Sequence, residues 1–146
     1  MSGKIQSYRD LDAWQVAMSL TERIYEHVKK LPATERFELS SQMRRASVSV
    51  PSNVAEGQSC GEDGRYIHHL RIALGSLGEL STQLELARRL AMLPTAVVME
   101  TDEHIARTGQ VLHGLLRSRL NRRAAKVGSA TLIACAWWLL SLSVLG

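Results

Sequence analysis

The residues best suited to chemistry in this chain are the arginines near its C-terminal end. Between Arg107 and Lys126 the sequence has six basic residues and no acidic residue. Four of the arginines lie within seven residues: Arg117, Arg119, Arg122 and Arg123. Such a cluster attracts phosphates with an affinity that falls as the salt concentration rises. The run predicts contact with RNA or DNA, and the alternatives are a solvated helix end or attraction to anionic lipid.

Four further arginines are candidates for the same surface. Arg44 and Arg45 flank the apolar stripe of a predicted helix, and Arg65 and Arg71 lie near the start of the next one. The guanidinium groups of Arg44 and Arg45 are expected to contact phosphates, to form a salt bridge with another subunit, or to pair with acids on a neighbouring helix, such as Glu56 or Glu79. Since the C-terminal run lacks aromatic residues for base stacking, we expect binding by charge or shape, with weak sequence preference.

Other kinds of chemistry find little support in the sequence. His68 and His69 are adjacent, so on a helix they point about 100° apart and do not clamp one metal ion. Cys60 and Cys135 match no metal or redox spacing, and no phosphate-binding glycine loop is present. A nucleophile formed by Cys60 and His68 would lack an orienting third group. We therefore predict no metal, no cofactor and no catalytic site.

The elements that must position these residues are predicted to be helices. The chain has 146 residues, the length of one domain, and its apolar content comes mainly from Leu and Ala. Apolar residues recur at helical spacing over about 10–30, 34–56, 62–92 and 95–123. The stripes predicted to face the core include Trp14 and Tyr25 in the first helix, Met43, Val50 and Val54 in the second, Leu70, Leu77 and Leu84 in the third, and Ile105 and Leu112 in the fourth. The predicted fold is an all-α, up-down-up-down antiparallel four-helix bundle over residues 8–123. In that topology the basic run lies beside the starts of the first and third helices, where bases outnumber acids.

Several polar and small residues interrupt these patterns. Pro51 predicts a kink or break in the second helix, with Asn53 and Glu56 satisfying the freed backbone groups. Gly75 and Gly78 lie inside the third helix, which suggests close approach of another backbone. Glu79 is expected to be partly buried and to need an arginine of the second helix as its partner.

The last residues form a separate segment at 127–146. It carries no charge, and a helix over 128–146 would span about 28 Å, close to the ~30 Å core of a bilayer. Trp137 and Trp138 fall in its middle, which is unusual for a membrane anchor. The segment is predicted to be helical, as a membrane-inserted tail, an extension packed on the bundle or a neighbouring subunit, or a non-native end. The remainder is predicted to be cytoplasmic, since the N-terminal residues lack a signal sequence.

Four motifs in this order resemble a known family. They are DLDAWQ at 10–15, QMRRA at 42–46, VPSNVAEG at 50–57 and IALGSLGEL at 72–80. The combination resembles the bacterial four-helix-bundle proteins encoded in intervening sequences of 23S rRNA genes, sometimes labelled as a ribosomal protein family. It is also similar to the accessory protein of diversity-generating retroelements. The resemblance covers about residues 7–120, and the apolar tail departs from it.

The resemblance implies a homopentameric ring and nucleic-acid binding through basic surface. The predicted function is therefore a non-catalytic, homo-oligomeric bundle that binds RNA or DNA. The alternative is a protein–protein adaptor or assembly module that the C-terminal tail tethers to a membrane.

Overall fold

The computed structural model describes the backbone of residues 6–144 and the side chains of residues 6–35 and 37–128. Its four α-helices are α1 (Asp12–His27), α2 (Leu39–Ser59), α3 (Asp63–Arg89) and α4 (Thr95–Val144). Among the described residues, α1 and α3 each pack against α2 and α4. The short connections at 60–62 and 90–94 make successive helices antiparallel. The predicted all-α four-helix bundle is confirmed.

Local sequence explains where the helices begin and end. Ser7 and Asp10 form a capping box ahead of α1: the Ser7 hydroxyl accepts a hydrogen bond from the backbone N–H of Arg9, and the Asp10 carboxylate accepts one from the backbone N–H of Ser7. Helix α2 begins at Leu39 instead of the predicted residue 34, because Ala33–Arg36 forms a separate 3-10 turn after Pro32. Gly61 takes a left-handed conformation (φ +68°) in the connection between α2 and α3, where a side chain would be strained.

The core follows the predicted stripes on α2, α3 and α4. Its largest fully buried apolar side chains are Leu20, Ile24, Met43, Val50, Val54, Leu70, Leu80 and Leu112. On α1 the stripe is centred on Ala17, Leu20 and Ile24, so Tyr25, which was predicted to face the core, is 44% exposed. Burial of these side chains stabilises the bundle by roughly 1.5–3 kcal/mol for each large residue.

Pro51 lies within a continuous α2, so the predicted break is wrong. A proline at this position cannot donate to the carbonyl of Ser47, four residues earlier. The buried hydroxyl of Thr21 in α1 supplies the missing donor, at 2.9 Å from the Ser47 oxygen. The same hydroxyl lies 2.9 Å from the carbonyl of Ala17. Because Pro51 has no N–H, the Ser47 carbonyl is free to accept the hydrogen bond from Thr21 that joins α2 to α1.

Asn53 and Glu56 connect α2 to α3 instead of repairing the carbonyl that Pro51 leaves open. The Asn53 amide donates to the Ser49 carbonyl at 2.9 Å, and its oxygen lies 3.1 Å from Nδ1 of His69. A carboxylate oxygen of Glu56 is 3.4 Å from the same ring nitrogen. His69 on α3 therefore contacts the side chains of both Asn53 and Glu56 from the motif at 50–57.

Gly57 completes this connection by its lack of a side chain. A Cβ at Gly57 would lie 2.5 Å from Cδ2 of Tyr66, which is far closer than real Cβ contacts. The ring of Tyr66 is only 3% exposed. Only glycine therefore lets the tyrosine ring of α3 rest directly on the backbone of α2.

Within the described chain, α3 shows neither a close backbone contact at its two inner glycines nor an arginine of α2 beside Glu79. Gly75 and Gly78 are exposed, and a Cβ at either position would meet nothing within 4 Å. Glu79 is also exposed, and it accepts a hydrogen bond from Gln83 one turn later instead of an arginine of α2. The heptad seam passes through Leu77 and Leu80, which turns residues 75, 78 and 79 away from the core.

The C-terminal extension is helical in its backbone as far as Val144. Within the fully described side chains, which end at residue 128, no helix is long and apolar enough to cross a membrane. The side chains of the predicted membrane segment at 128–146 lie almost entirely outside the part that the structure describes.

We expect Thr21→Val to lower the free energy of unfolding by about 1–3 kcal/mol, because the Ser47 carbonyl would be buried without a donor. The effect should shrink in a Pro51→Ala background, where the backbone N–H of residue 51 becomes available to that carbonyl. Urea unfolding of the wild type, both single variants and the double variant measures the coupling. Equal costs of Thr21→Val in the two backgrounds would contradict the assignment.

Candidate nucleic-acid interface

The candidate interface is centred on residues 117–126 of α4, hereafter the basic segment. This segment runs beside the start of α3, as the antiparallel topology predicts. Its arginines are not equivalent: Arg117, Arg122 and Arg123 are exposed, whereas the side chain of Arg119 is only 17% exposed. Arg119 is therefore used for packing, whereas Arg117, Arg122 and Arg123 hold their charges in solvent.

Arg119 connects three helices. Its guanidinium carbon lies 4.3 Å from the ring centroid of Tyr66, and Nη1 lies 3.7 Å from a carboxylate oxygen of Asp63. Nη2 also donates to the Gln58 side-chain oxygen at 3.4 Å. These are the contacts of a residue that docks α4 on α2 and α3, so its predicted role in nucleic-acid contact gives way to a structural one.

Asp63 is the carboxylate that pairs with the basic residues at this end of the bundle. Its side chain is 11% exposed, and Nζ of Lys126 donates to it at 2.5 Å. That hydrogen bond, together with the charges of Lys126, Arg122 and Arg119, lowers the pKa of Asp63 from its usual value. The carboxylate stays ionised and offsets the charge of its partners. The exposed guanidinium groups of Arg117, Arg122 and Arg123 then supply the positive potential toward solvent.

Arg65 and Arg71 are further bases on α3, and their side chains point about 120° apart around the helix. Both are exposed, and Arg65 lies 3.5 Å from a carboxylate oxygen of Glu62 one turn earlier. An exposed pair of this kind is weak, so Arg65 can exchange its partner for a phosphate at little cost.

Arg44 and Arg45 lie elsewhere, in a groove between α1 and α2 that we call the α1–α2 groove. Its lining residues are Tyr25, Ser41, Arg44, Arg45, Val48 and Ser49. About fourteen residues of α2 separate the two arginines from the end of α2 beside the basic segment, or roughly 20 Å of helix. Neither arginine pairs with Glu56 or Glu79 in the described part of the chain, so that structural alternative is wrong.

Sequence reasoning missed the partners of this site. Asp63, Tyr66 and Gln58 hold Arg119, and Tyr25 lies beside Arg44, with 5.8 Å between its ring centroid and the guanidinium carbon. One sequence feature could have indicated the role of Tyr66: a glycine, Gly57, precedes the short turn between α2 and α3, and an aromatic residue follows that turn. No spacing marks which arginine of the run faces inward.

Metal chemistry has no candidate in the described part of the chain, where no three His, Cys, Asp or Glu side chains converge on one point. Cys60 is exposed and carries a free thiol. In the described part of the chain no hydrogen bond joins Cys60 to a histidine, and the ring of His68 lies 5.6 Å from that of His69, centroid to centroid.

Comparison with known proteins identifies relatives of this bundle. Residues 9–114 match the model of the 23S rRNA-intervening sequence protein family. A crystal structure of a protein of unknown function from the S23 ribosomal protein family, from Bacteroides thetaiotaomicron VPI-5482, is similar with a TM-score of 0.67. It is 21% identical, and the match covers 72% of this chain and 95% of that chain, a likeness that extends to the fold. No curated protein sequence gave a match.

A second polar cluster joins α1 to α4 at the end of the bundle away from the basic segment. His27 is buried, and its Nδ1 lies 2.8 Å from the hydroxyl of Thr101. Because that hydroxyl donates to the carbonyl of Val97, it accepts from Nδ1–H of His27. The other ring nitrogen is 3.6 Å from Glu100, which also pairs with Arg23.

Burial lowers the pKa of His27 below its usual value of 6.5, and nearby Lys30, Arg23 and His104 lower it further, against the attraction of Glu100. The unfolded chain therefore binds a proton more readily than the folded chain. We expect the free energy of unfolding to fall as the pH drops below about 6.5. Chemical unfolding at pH 5 to 7 should show a smaller loss for His27→Gln, and identical pH profiles for the two proteins would contradict this.

Proposed function

We propose that this chain, which belongs to the 23S rRNA-intervening sequence protein family, is a non-catalytic, self-assembling module that binds RNA or DNA through its basic surface. The observation that carries the proposal is the division of charge in the basic segment. Lys126 and Arg119 occupy Asp63, while Arg117, Arg122 and Arg123 extend into solvent on the same helix. Exposed arginines on a fixed helix are suited to contacts with phosphates.

The contacts expected here position a nucleic acid and carry little sequence information. Arg117, Arg122 and Arg123 reach phosphate oxygens, and Arg65 and Arg71 add exposed positive charge on α3. The basic segment contains no aromatic residue, so stacking on bases does not contribute there. Affinity should therefore depend on salt much more than on sequence.

Self-assembly has separate support from the outer face of α3. Ile72, Gly75 and Leu86 share one helical face, where Ile72 is 40% exposed and Leu86 47% exposed. Each glycine inside a helix costs about 1 kcal/mol relative to alanine, and no contact within the described chain requires Gly75 or Gly78. A second copy that packs closely against this face would account for both the glycines and the apolar residues. The resemblance to the family favours five copies.

Assembly would also strengthen nucleic-acid binding. Each copy supplies one basic segment, and a ring places several segments on one molecule. Once one segment is bound, the others meet the same nucleic acid at high effective concentration. Weak phosphate contacts on each copy then combine into useful affinity.

A protein–protein adaptor is the second candidate, favoured by the uncharged sequence after Lys126 on a helix that continues to Val144. Membrane fractionation of the full chain and of a chain truncated after Lys126 separates the cytoplasmic location from the tethered one. A tethered adaptor requires the full chain, but not the truncated chain, to sediment with membranes.

We expect the combined variant Arg117→Gln, Arg122→Gln and Arg123→Gln to bind with a weaker salt dependence. The slope of the logarithm of the observed association constant against the logarithm of the salt concentration should become less negative by about 2–3 on duplex DNA, because three phosphate contacts are lost. Filter binding of duplex DNA and of single-stranded RNA over a salt series measures the slope. The matched control replaces Lys30, Arg88 and Arg89, three exposed bases outside this surface, with Gln. Equal effects of the two triple variants, or no binding by the wild type, would overturn the proposal.

We expect the purified chain to have a mass of several times 16.2 kDa by size exclusion with light scattering, five times if the resemblance holds. Gly75→Leu should reduce the mass to that of one chain without unfolding it, because the position is open in the single bundle. Gly114→Leu is the matched control, since Gly114 is also exposed with nothing near its Cβ position. A wild-type monomer at micromolar concentration would contradict self-assembly.

A further inference from the structure

The α1–α2 groove differs from the basic segment in having an aromatic ring beside its arginines. Tyr25 is 44% exposed, although its place in the sequence pattern predicted burial. Arg44 is half-buried next to the ring, and Arg45 is exposed on the same helix. Val48 adds an apolar surface that is 40% exposed. The groove thus combines a flat ring, an apolar side chain and two guanidinium groups.

The groove also has no carboxylate of its own. Its six lining residues include no Asp or Glu, and among the described residues neither Arg44 nor Arg45 forms an ion pair. Other arginines of the bundle do have carboxylate partners, for example Arg23 with Glu100 and Arg88 with Glu85. Two unpaired guanidinium groups in one open groove favour an anionic ligand that neutralises both.

We propose that the α1–α2 groove binds one nucleotide of a single-stranded nucleic acid, with its phosphate on Arg44 and Arg45 and its base stacked against Tyr25. A base that is paired in a duplex cannot reach the face of a tyrosine on a helix surface, whereas an unpaired base can. Stacking of this kind is tolerant of base identity, since every base has an aromatic face. Arg44 lies over one face of the ring, with 5.8 Å between its guanidinium carbon and the ring centroid, so a base that stacks on the opposite face has a guanidinium group nearby for its phosphate.

This inference rests on the proposed function and adds a preference to it. The basic segment serves single strands and duplexes alike, because it contacts phosphates only. The α1–α2 groove lies about 20 Å from the basic segment along the bundle. Its tyrosine ring can stack only on unpaired bases. A single strand that follows the bundle between the two sites would bind more tightly than a duplex of the same length.

The test compares Tyr25→Leu with Tyr25→Phe in binding to oligo(U) RNA and to duplex DNA. We expect Tyr25→Leu to weaken oligo(U) binding about fivefold or more and to leave duplex binding unchanged, while Tyr25→Phe binds as the wild type does. Because Tyr25 is exposed, both variants should fold, and circular dichroism checks this. Photocrosslinking of 5-bromouridine RNA, mapped by mass spectrometry, should mark Tyr25 in the wild type.

A second variant tests the proposed contact between the phosphate and the arginines of the groove. Arg45→Gln should lower the salt slope of oligo(U) binding by about 0.7, the value for one lost contact to a single strand. Equal losses on oligo(U) and duplex for Tyr25→Leu, or no loss on either, would overturn the groove as a nucleotide site while leaving the basic segment in place. A change in the mass of the assembly with unchanged RNA binding would identify a second copy as the occupant instead. If the wild type binds neither probe, this inference and the proposed function both fail.

Discussion

The direct contact between the backbone at Gly57 and the ring of Tyr66 is the constraint on which the basic end of the bundle depends. The contact brings the start of α3 against the end of α2 after a turn of only three residues. Tyr66 then presents a buried ring to Arg119, and Arg119 reaches Asp63 at the start of α3. The position of α4, and with it the outward direction of Arg117, Arg122 and Arg123, follows from this sequence of contacts.

Polar contacts also connect pairs of helices around the apolar core. The hydroxyl of Thr21 joins α1 to α2 at the Ser47 carbonyl, and the hydroxyls of Ser49 and Ser76 join α2 to α3 at 2.8 Å. His27 and Thr101 join α1 to α4. Each contact satisfies groups that would be costly to bury alone, so the contacts favour one register of the helices over others. A fixed register matters for function, because arginines on different helices must keep their spacing to contact one nucleic acid.

The sequence was sufficient for the elements whose burial follows a simple period. The stripes at Met43, Val50 and Val54 on α2 and at Leu70, Leu77 and Leu84 on α3 are buried as predicted, because helical spacing alone determines which face is apolar. Helix α1 was less predictable, since its small residues Ala13 and Ala17 face the core and displace Tyr25 outward. Pattern reasoning weights large residues, and here the closest packing uses the small ones.

The candidate site was predictable in composition but not in detail. The run of arginines marked the basic segment, yet its inward residue, Arg119, depends on Tyr66 and Asp63, which lie more than fifty residues earlier in the chain. The cap of Thr21 on Ser47 likewise joins residues 26 positions apart. Such contacts depend on how helices pack, and a single sequence has no local signal for them. The resemblance marked residues 50–57 as distinctive, and the structure gives them a physical role in joining α2 to its neighbours.

The measurement that tests the account most directly is the free energy of unfolding of Gly57→Ala against Gly114→Ala. Both changes add one methyl group inside a helix, but only residue 57 places it against the Tyr66 ring. The account predicts a loss of about 1–3 kcal/mol for Gly57→Ala and no loss, or a small gain, for Gly114→Ala. A Gly57→Ala protein as stable as its Gly114→Ala counterpart would show that the ring does not need the bare backbone, and the central claim would be wrong.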